Sequence, residues 1–128
     1  MIEMAYVLVV IGIITAVAVP GISHFLRAHR LTGSSNQLMG DMQYARSTAI
    51  AKRRQIRIVF ASDEYQIVET ATAVVIRTRA LPPGLACAAT GDPNFYPWGL
   101  ADPVTVTFSA GGLSKNVDLA ANGHVDHY

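Results

Sequence analysis

Apolar residues follow three different rules along this chain. Over residues 4–19 they are continuous, interrupted by Gly12 and Thr15. From residue 22 they recur at every third or fourth position: Ile22, Phe25, Ala28 (or His29), Leu31, Ser35, Leu38, Met42, Ala45 and Ala49. That spacing marks one stripe of a 3.6-residue helix. Arg27, Arg30, Asn36, Gln37, Asp41, Gln43, Arg46 and Lys52 fill the other side. The Ala and Ser in the stripe suit close packing against a sheet or a second helix. From residue 55 the period drops to two, the alternation of a half-buried strand.

The first two rules predict one helix from near residue 3 to about residue 52. Gly33 and Gly40 each weaken it by about 1 kcal/mol relative to Ala, too little to end so long a pattern. A bend is expected at Pro20-Gly21, where the missing N–H and the ring clash interrupt the hydrogen-bond ladder. The third rule predicts strands. Ile56, Ile58 and Phe60 share one face, Ser62-Asp63-Glu64 turns, and Tyr65-Gln66-Ile67-Val68 completes a hairpin; a third strand covers residues 73–79. Leu81-Pro82-Pro83-Gly84-Leu85 breaks the pattern. Residues 88–103, with three prolines, read as an ordered loop held by Phe95, Tyr96 and Trp98. Strands follow over residues 104–108 and 116–119, with a turn over 109–112 between them. Asn122-Gly123 is a tight-turn dipeptide, and a last short strand covers 124–128. The expected fold class is α+β: a long helix, apolar then amphipathic, packed on an antiparallel β-sheet domain. The expected segments are 1–22, 23–53 and 54–128. The amphipathic half covers one face of the sheet, and the apolar half has nothing in its own chain to pack on.

The 128 residues suffice for one domain with a modest core. Hydrophobic residues make up 51%, and the excess is concentrated in the first 22 positions. About 20 apolar residues cross a bilayer core, so this run reaches across most of a membrane. It carries one acid, Glu3. A cleavable signal peptide fits Ala16-Val17-Ala18 but not an acidic start. A simple single-pass anchor explains the length but not the carboxylate, which must find a partner or stay at the interface. A helix that waits in a membrane and later joins a bundle of identical helices accommodates both: Glu3 then pairs with a neighbour's free amine and sets the axial register.

Charge divides the chain unevenly. Residues 24–60 hold seven Lys and Arg against one acid, and residues 61–128 hold three against seven acids. A basic stem with an acidic head fits a solvated face, a membrane-surface contact or complementarity between neighbouring copies. Lys52, Arg53, Arg54 and Arg57 are the residues best suited to a nucleic-acid backbone. The single cysteine, Cys87, excludes an intrachain disulfide and a Cys/His metal pattern. His124 and His127 would fall on opposite faces of a strand, which disfavours a shared metal. Ser109 has no obvious base beside it, and Gly111-Gly112 opens no helix that could cradle a phosphate. No catalytic centre, metal or cofactor is expected.

Ile2-Glu3-Met4, the Val/Leu/Ile run, Pro20 and the continuing helix resemble the N-terminus of type IV pilins and type II secretion pseudopilins. Met1-Ile2-Glu3 is similar to the tail of that family's processing motif, whose glycine, phenylalanine and charged leader are then expected upstream of Met1. Arg27 and Arg30 would hold their end of the run in the cytoplasm by the positive-inside tendency, and a basic leader upstream would restore the opposite orientation. Within the family, Ala45-Arg46-Ser47-Thr48-Ala49-Ile50 resembles the GspH/FimT group, with Thr48 where that group more often has Glu. Val106-Thr107-Phe108-Ser109-Ala110-Gly111-Gly112 is similar to its strand and turn, and Asn122-Gly123-His124-Val125 to its ending, with His124 in place of Arg. The resemblance implies a pilin-like minor subunit of a secretion pseudopilus or type IV pilus, structural or initiating in role. It implies a single pass through the bacterial inner membrane and a periplasmic head. Its implied partners are other pilins or pseudopilins through helix bundling, prepilin peptidase and the inner-membrane assembly platform. Leader removal and methylation of the new N-terminus would follow. Glu3 and Pro20 are then the assembly residues, and Phe95, Tyr96 and Trp98 a subunit-contact loop. Some FimT-type relatives are associated with DNA uptake, so nucleic acid remains the alternative partner.

Overall fold

A computed structural model describes residues 1–127. Tyr128, the end of the expected last strand, lies outside the described residues, as do the side chains of Pro20 and His127. The helical periodicity yields one continuous helix, α1 (Ile2–Lys52). Glu3 sits in its first turn and Lys52 in its last, each favourable to the helix dipole. α1 ends at Arg53, which turns into the left-handed region (φ 54°) and donates its N–H to the Ala49 carbonyl. That position usually falls to glycine.

Among the described residues eight strands follow. β1 (Ile56–Phe60), β2 (Glu64–Glu69), β3 (Val75–Ala80) and β5 (Asn94–Phe95) form one antiparallel sheet in the order β3-β2-β1-β5. β4 (Ala86–Ala89), β6 (Val104–Ala110), β7 (Leu113–Leu119) and β8 (Val125–His127) form a second, in the order β4-β6-β7-β8. The single expected sheet is thus two. β4 starts just after the expected break at 81–85 and runs into the expected 88–103 loop, and β5 lies within that loop. Ala86-Cys87-Ala88-Ala89 shows no alternation, and its strand character comes from pairing with β6, from Ala86 opposite Ser109 to Ala89 opposite Val106. The β6–β7 turn is tighter than expected, with two residues between Ala110 and Leu113. Gly111 (φ 53°) and Gly112 (φ 86°) supply the positive angles that a two-residue hairpin of this hand requires.

The Cys87 N–H of β4 bonds the Ser62 carbonyl of the β1–β2 turn (3.2 Å) and so ties one sheet to the other, while the Ile58 N–H bonded to the Pro93 carbonyl (3.1 Å) extends the β1–β5 pairing. The helix packs against both sheets, through β1 and β5 of the first and β6, β7 and β8 of the second. Leu31, Leu38, Met42, Ala45 and Ala49 enter the common core with Ile56, Ile58, Ile67, Phe95, Val106, Phe108 and Val117. Ala45 and Ala49 keep the helix surface low where the sheets approach it.

The core stripe is shorter than the sequence pattern. Ile22 and Phe25 are exposed, and burial starts at Leu31. Only the β6–β7 turn, against Arg27, reaches lower on the helix, so Ile22 and Phe25 have no part of the head to pack on. Residues 2–19 and 21–26 are exposed. At 1.5 Å per residue this unaccompanied part of α1 is roughly 40 Å long. It is long and apolar enough to cross a membrane. Leu38→Ala, at a position with 0% exposure, should lower the unfolding free energy of the head by about 3 kcal/mol. Phe25→Ala should change it by less than about 0.5 kcal/mol. Denaturant unfolding of the full chain in uncharged detergent, followed by Trp98 fluorescence, distinguishes the two.

Candidate assembly surfaces and the clamps behind them

Polar clamps fix the amphipathic half of α1 to the head. The first is Asp41, 3% exposed. Tyr65 Oη on β2 donates to its Oδ2 at 2.7 Å, Arg79 Nε on β3 donates to the same oxygen at 3.1 Å, and Arg77 Nη1 donates to Oδ1 at 3.2 Å. The Arg77 guanidinium also lies 4.4 Å from the centre of the Tyr44 ring, a cation–π geometry. One carboxylate therefore ties the helix to two strands. Burial, and then donation to Asp41, push the Tyr65 hydroxyl far above the usual phenol range. Asp41 was expected on the polar, outward side of α1. It lies instead at the boundary of the buried face, where the two arginines of β3 reach over to it. The signal was present in the charge pattern: Asp41 is the one acid of the basic stretch, and Arg77 and Arg79 are two of the three basic residues in the acidic one.

The second clamp is Arg46, also expected to face outward and in fact half-buried. Its Nε donates to the Gly99 carbonyl at 3.2 Å. The same side chain crosses Gly123 so closely that a Cβ there would lie 2.8 Å from Nε. Gly123 also has φ 81°, in the left-handed region. Its turn is closed by its N–H on the Ala120 carbonyl (2.9 Å), by the Ala120 N–H on the His124 carbonyl (2.8 Å), and by Asn122 Oδ1 accepting from the His124 N–H (2.9 Å). Arg46 thus joins α1 to the head loop and to the β7–β8 turn. At the end of the helix, Arg54 pairs with Glu69 of β2.

The loop over residues 94–102 is ordered by Asp102. Its Oδ2 accepts from Asn94 Nδ2 at 2.8 Å and its Oδ1 from Tyr96 Oη at 3.1 Å. The Asn94 amide is the first reason that this carboxyl titrates below the usual carboxylate range. Asn94 in turn accepts from Arg57 Nε at 2.9 Å. The Tyr96 and Trp98 rings stack with centres 4.9 Å apart and planes 7° apart. Trp98 remains 68% exposed, and Leu100 beside it is exposed as well. Phe95 differs from the expectation. It has 0% exposure, paired against Ile56, and belongs to the core. A residue that fills the interior has no surface left for another subunit, so Trp98, backed by Tyr96, forms the outward part of the loop.

The basic cluster is divided in the same way. Arg54 is engaged by Glu69 and Arg57 by Asn94, while Lys52 and Arg53 are exposed. His124 Nε2 lies 3.2 Å from Asp126 Oδ1, both at the surface. Glu3 is exposed in the first turn of α1.

A long helix, free over its first half and clamped over its second to a two-sheet antiparallel head, defines a pilin-like subunit. Residues 34–123 match the family described as Type II transport protein GspH, and the chain belongs to that family. Two solved structures share the fold. The type IV minor pilin FimU of Pseudomonas aeruginosa superposes with a TM-score of 0.68 at 18% identity, over 81% of this chain and 92% of that one. The minor pseudopilin EpsH from the type 2 secretion system of Vibrio cholerae gives 0.66 at 13% identity, over 77% of this chain and 96% of that one. No curated protein sequence matches the chain significantly.

Asp41→Asn should cost about 2–3 kcal/mol of head stability, because it leaves two arginines and a tyrosine facing a neutral amide in a partly screened site. Tyr65→Phe should cost about 1 kcal/mol. Alkaline pH gives an independent check. Burial raises the Cys87 thiol from 9.0 to about 11, and the Tyr65 hydroxyl is raised above 10.0. Both groups are held protonated by the fold, so their contribution is complete below pH 9 and is lost as pH rises. The melting temperature should fall from pH 9 toward 11, and less steeply in Cys87→Ala. At pH 8 the thiol should alkylate on the order of a hundredfold more slowly than a free cysteine.

Proposed function

We propose that this chain is a minor subunit of a type II secretion pseudopilus or type IV pilus, structural or initiating in role and without catalysis. The observation that carries the reading is the exposed apolar half of α1. Each large apolar side chain there gains about 1.5–3 kcal/mol on leaving water, so this length of helix requires a lipid or protein surround. In the precursor that surround is the bacterial inner membrane, crossed once, with the head in the periplasm. In the filament it is the matching helices of neighbouring pilins or pseudopilins. Residues 1–22 form the membrane and filament-core segment, 23–53 the stem and 54–128 the head. Prepilin peptidase removes a leader upstream, the new terminus is methylated, and the inner-membrane assembly platform draws the helix into the bundle.

Glu3 neutralises the terminal amine of a neighbour and sets axial register, a task that a lone carboxylate in an apolar surround performs by having one acceptable position. Pro20 loosens the ladder between the buried half and the stem. Trp98, stacked on Tyr96, presents a preordered contact to the next head. The ties of Arg54 to Glu69 and of Arg57 to Asn94 count against the nucleic-acid alternative, because two of its four cations are already engaged.

Glu3→Val should still insert in the membrane but should lower filament yield at least tenfold, measured by membrane flotation beside quantification of sheared filaments. Normal assembly by that variant would overturn the assigned role. Trp98→Ala should leave head stability within about 0.5 kcal/mol yet reduce filament incorporation, scored by immunoblot of the filament fraction.

A further inference from the structure

The apolar surface of α1 ends at Leu26, and two arginines follow, Arg27 and Arg30. Three residues apart, they share one side of the helix. The underside of the head comes down to the same level. Arg30 Nη1 donates to the Pro83 carbonyl at 3.4 Å. Arg27 lies against the Gly111 turn, where a Cβ would be 2.9 Å from its Nη1. Between them opens a cleft of about 330 Å³ lined by Arg27, Arg30, Pro83, Gly84, Leu85 and Ala110. Among the described residues the ion pairs use Arg54, Arg77, Arg79 and His124 as cations, and neither Arg27 nor Arg30 takes part in one.

We propose that this cleft is a phosphate site for the headgroup of an anionic phospholipid, which seats the β head on the membrane surface. The proposal rests on the reading of α1 as a membrane-spanning helix. Residues 4–26 span roughly 34 Å against a hydrocarbon core of about 30 Å, so with modest tilt the two guanidiniums fall in the headgroup layer. A guanidinium matches a phosphate with two parallel N–H donors, and both guanidiniums line the same cleft. The buried Leu85 and the small Ala110 make the inner wall apolar, suited to the start of the lipid's acyl chains. The site also offsets the cost of placing two positive charges on the exported side of the membrane, against the positive-inside tendency. A subunit entering a filament must break this attachment, so headgroup charge sets how firmly the stored subunit is held.

The test uses the full chain in uncharged detergent, labelled with 15N at arginine. It is titrated separately with dioctanoyl phosphatidylglycerol, dioctanoyl phosphatidylcholine and inorganic phosphate, and the Nε–H resonances of Arg27 and Arg30 are followed. Phosphatidylglycerol should move both resonances and bind at least tenfold more tightly than either alternative. Arg27→Ala with Arg30→Ala should weaken it on the order of 30-fold, while Lys115→Ala should change it less than twofold. Melting curves show that the double variant keeps its head. Unmoved resonances, or equal binding by the double variant, would overturn the site, and inorganic phosphate binding as tightly as the lipid would overturn its assignment to a headgroup. Flotation with neutral phosphatidylcholine vesicles separates the two layers. A chain that floats without headgroup selectivity removes the site alone, and a chain that does not float removes the membrane reading and the site together.

Discussion

Leu38, Met42, Ala45 and Ala49 enter the one interior that both sheets share. The two sheets are held to each other by few backbone hydrogen bonds, so the helix face is what closes their common core. Burial of this kind is non-directional and proportional to area. It fixes which side of α1 faces inward without choosing the rotation or axial height of the helix. Those are chosen at the flanks, where Asp41 meets Tyr65, Arg77 and Arg79 on one side and Arg46 meets Gly99 and the Gly123 turn on the other.

Charged clamps of this sort contribute little net stability, because desolvation consumes much of the attraction. Their value lies in geometry. Two opposed flanks with fixed donors and acceptors leave the helix one seat. On the proposed reading of the chain as a filament subunit, the head has to follow its N-terminal helix as one body, and a seat specified on both sides meets that requirement. The Asp102 network plays the same part on a smaller scale. It spends the polar groups of Asn94 and Tyr96 on ordering the loop, which leaves the stacked Trp98 indole as a preformed apolar surface with little rotamer freedom to lose on contact.

The alternating period made β1, β2, β6 and β7 legible, because each has one face in the core and one toward water. β4 and β5 were not legible for the converse reason. Ala86-Cys87-Ala88-Ala89 and Asn94-Phe95 are too short and too small to show a period, and become strands through their partners in β6 and β1. Phe95 looked like its aromatic neighbours in composition. Its burial follows from the pairing of Asn94-Phe95 with Arg57 and Ile56, and no local pattern carries that information.

The sequence by itself determined the long helix, the change in that helix from all-round apolar to one-sided, the antiparallel head and the oddity of Glu3. All of these are local or periodic, and periodicity survives in a single chain. The tertiary structure decided where the buried stripe begins, that the head is two sheets, and that Asp41 and Arg46 are clamps and not solvated charges. These depend on how far the strands extend along the helix and on residues as distant in the chain as Arg46 and Gly123 meeting across it. A charge reads as solvent-facing by its type, and what draws it inward is a partner brought alongside by folding.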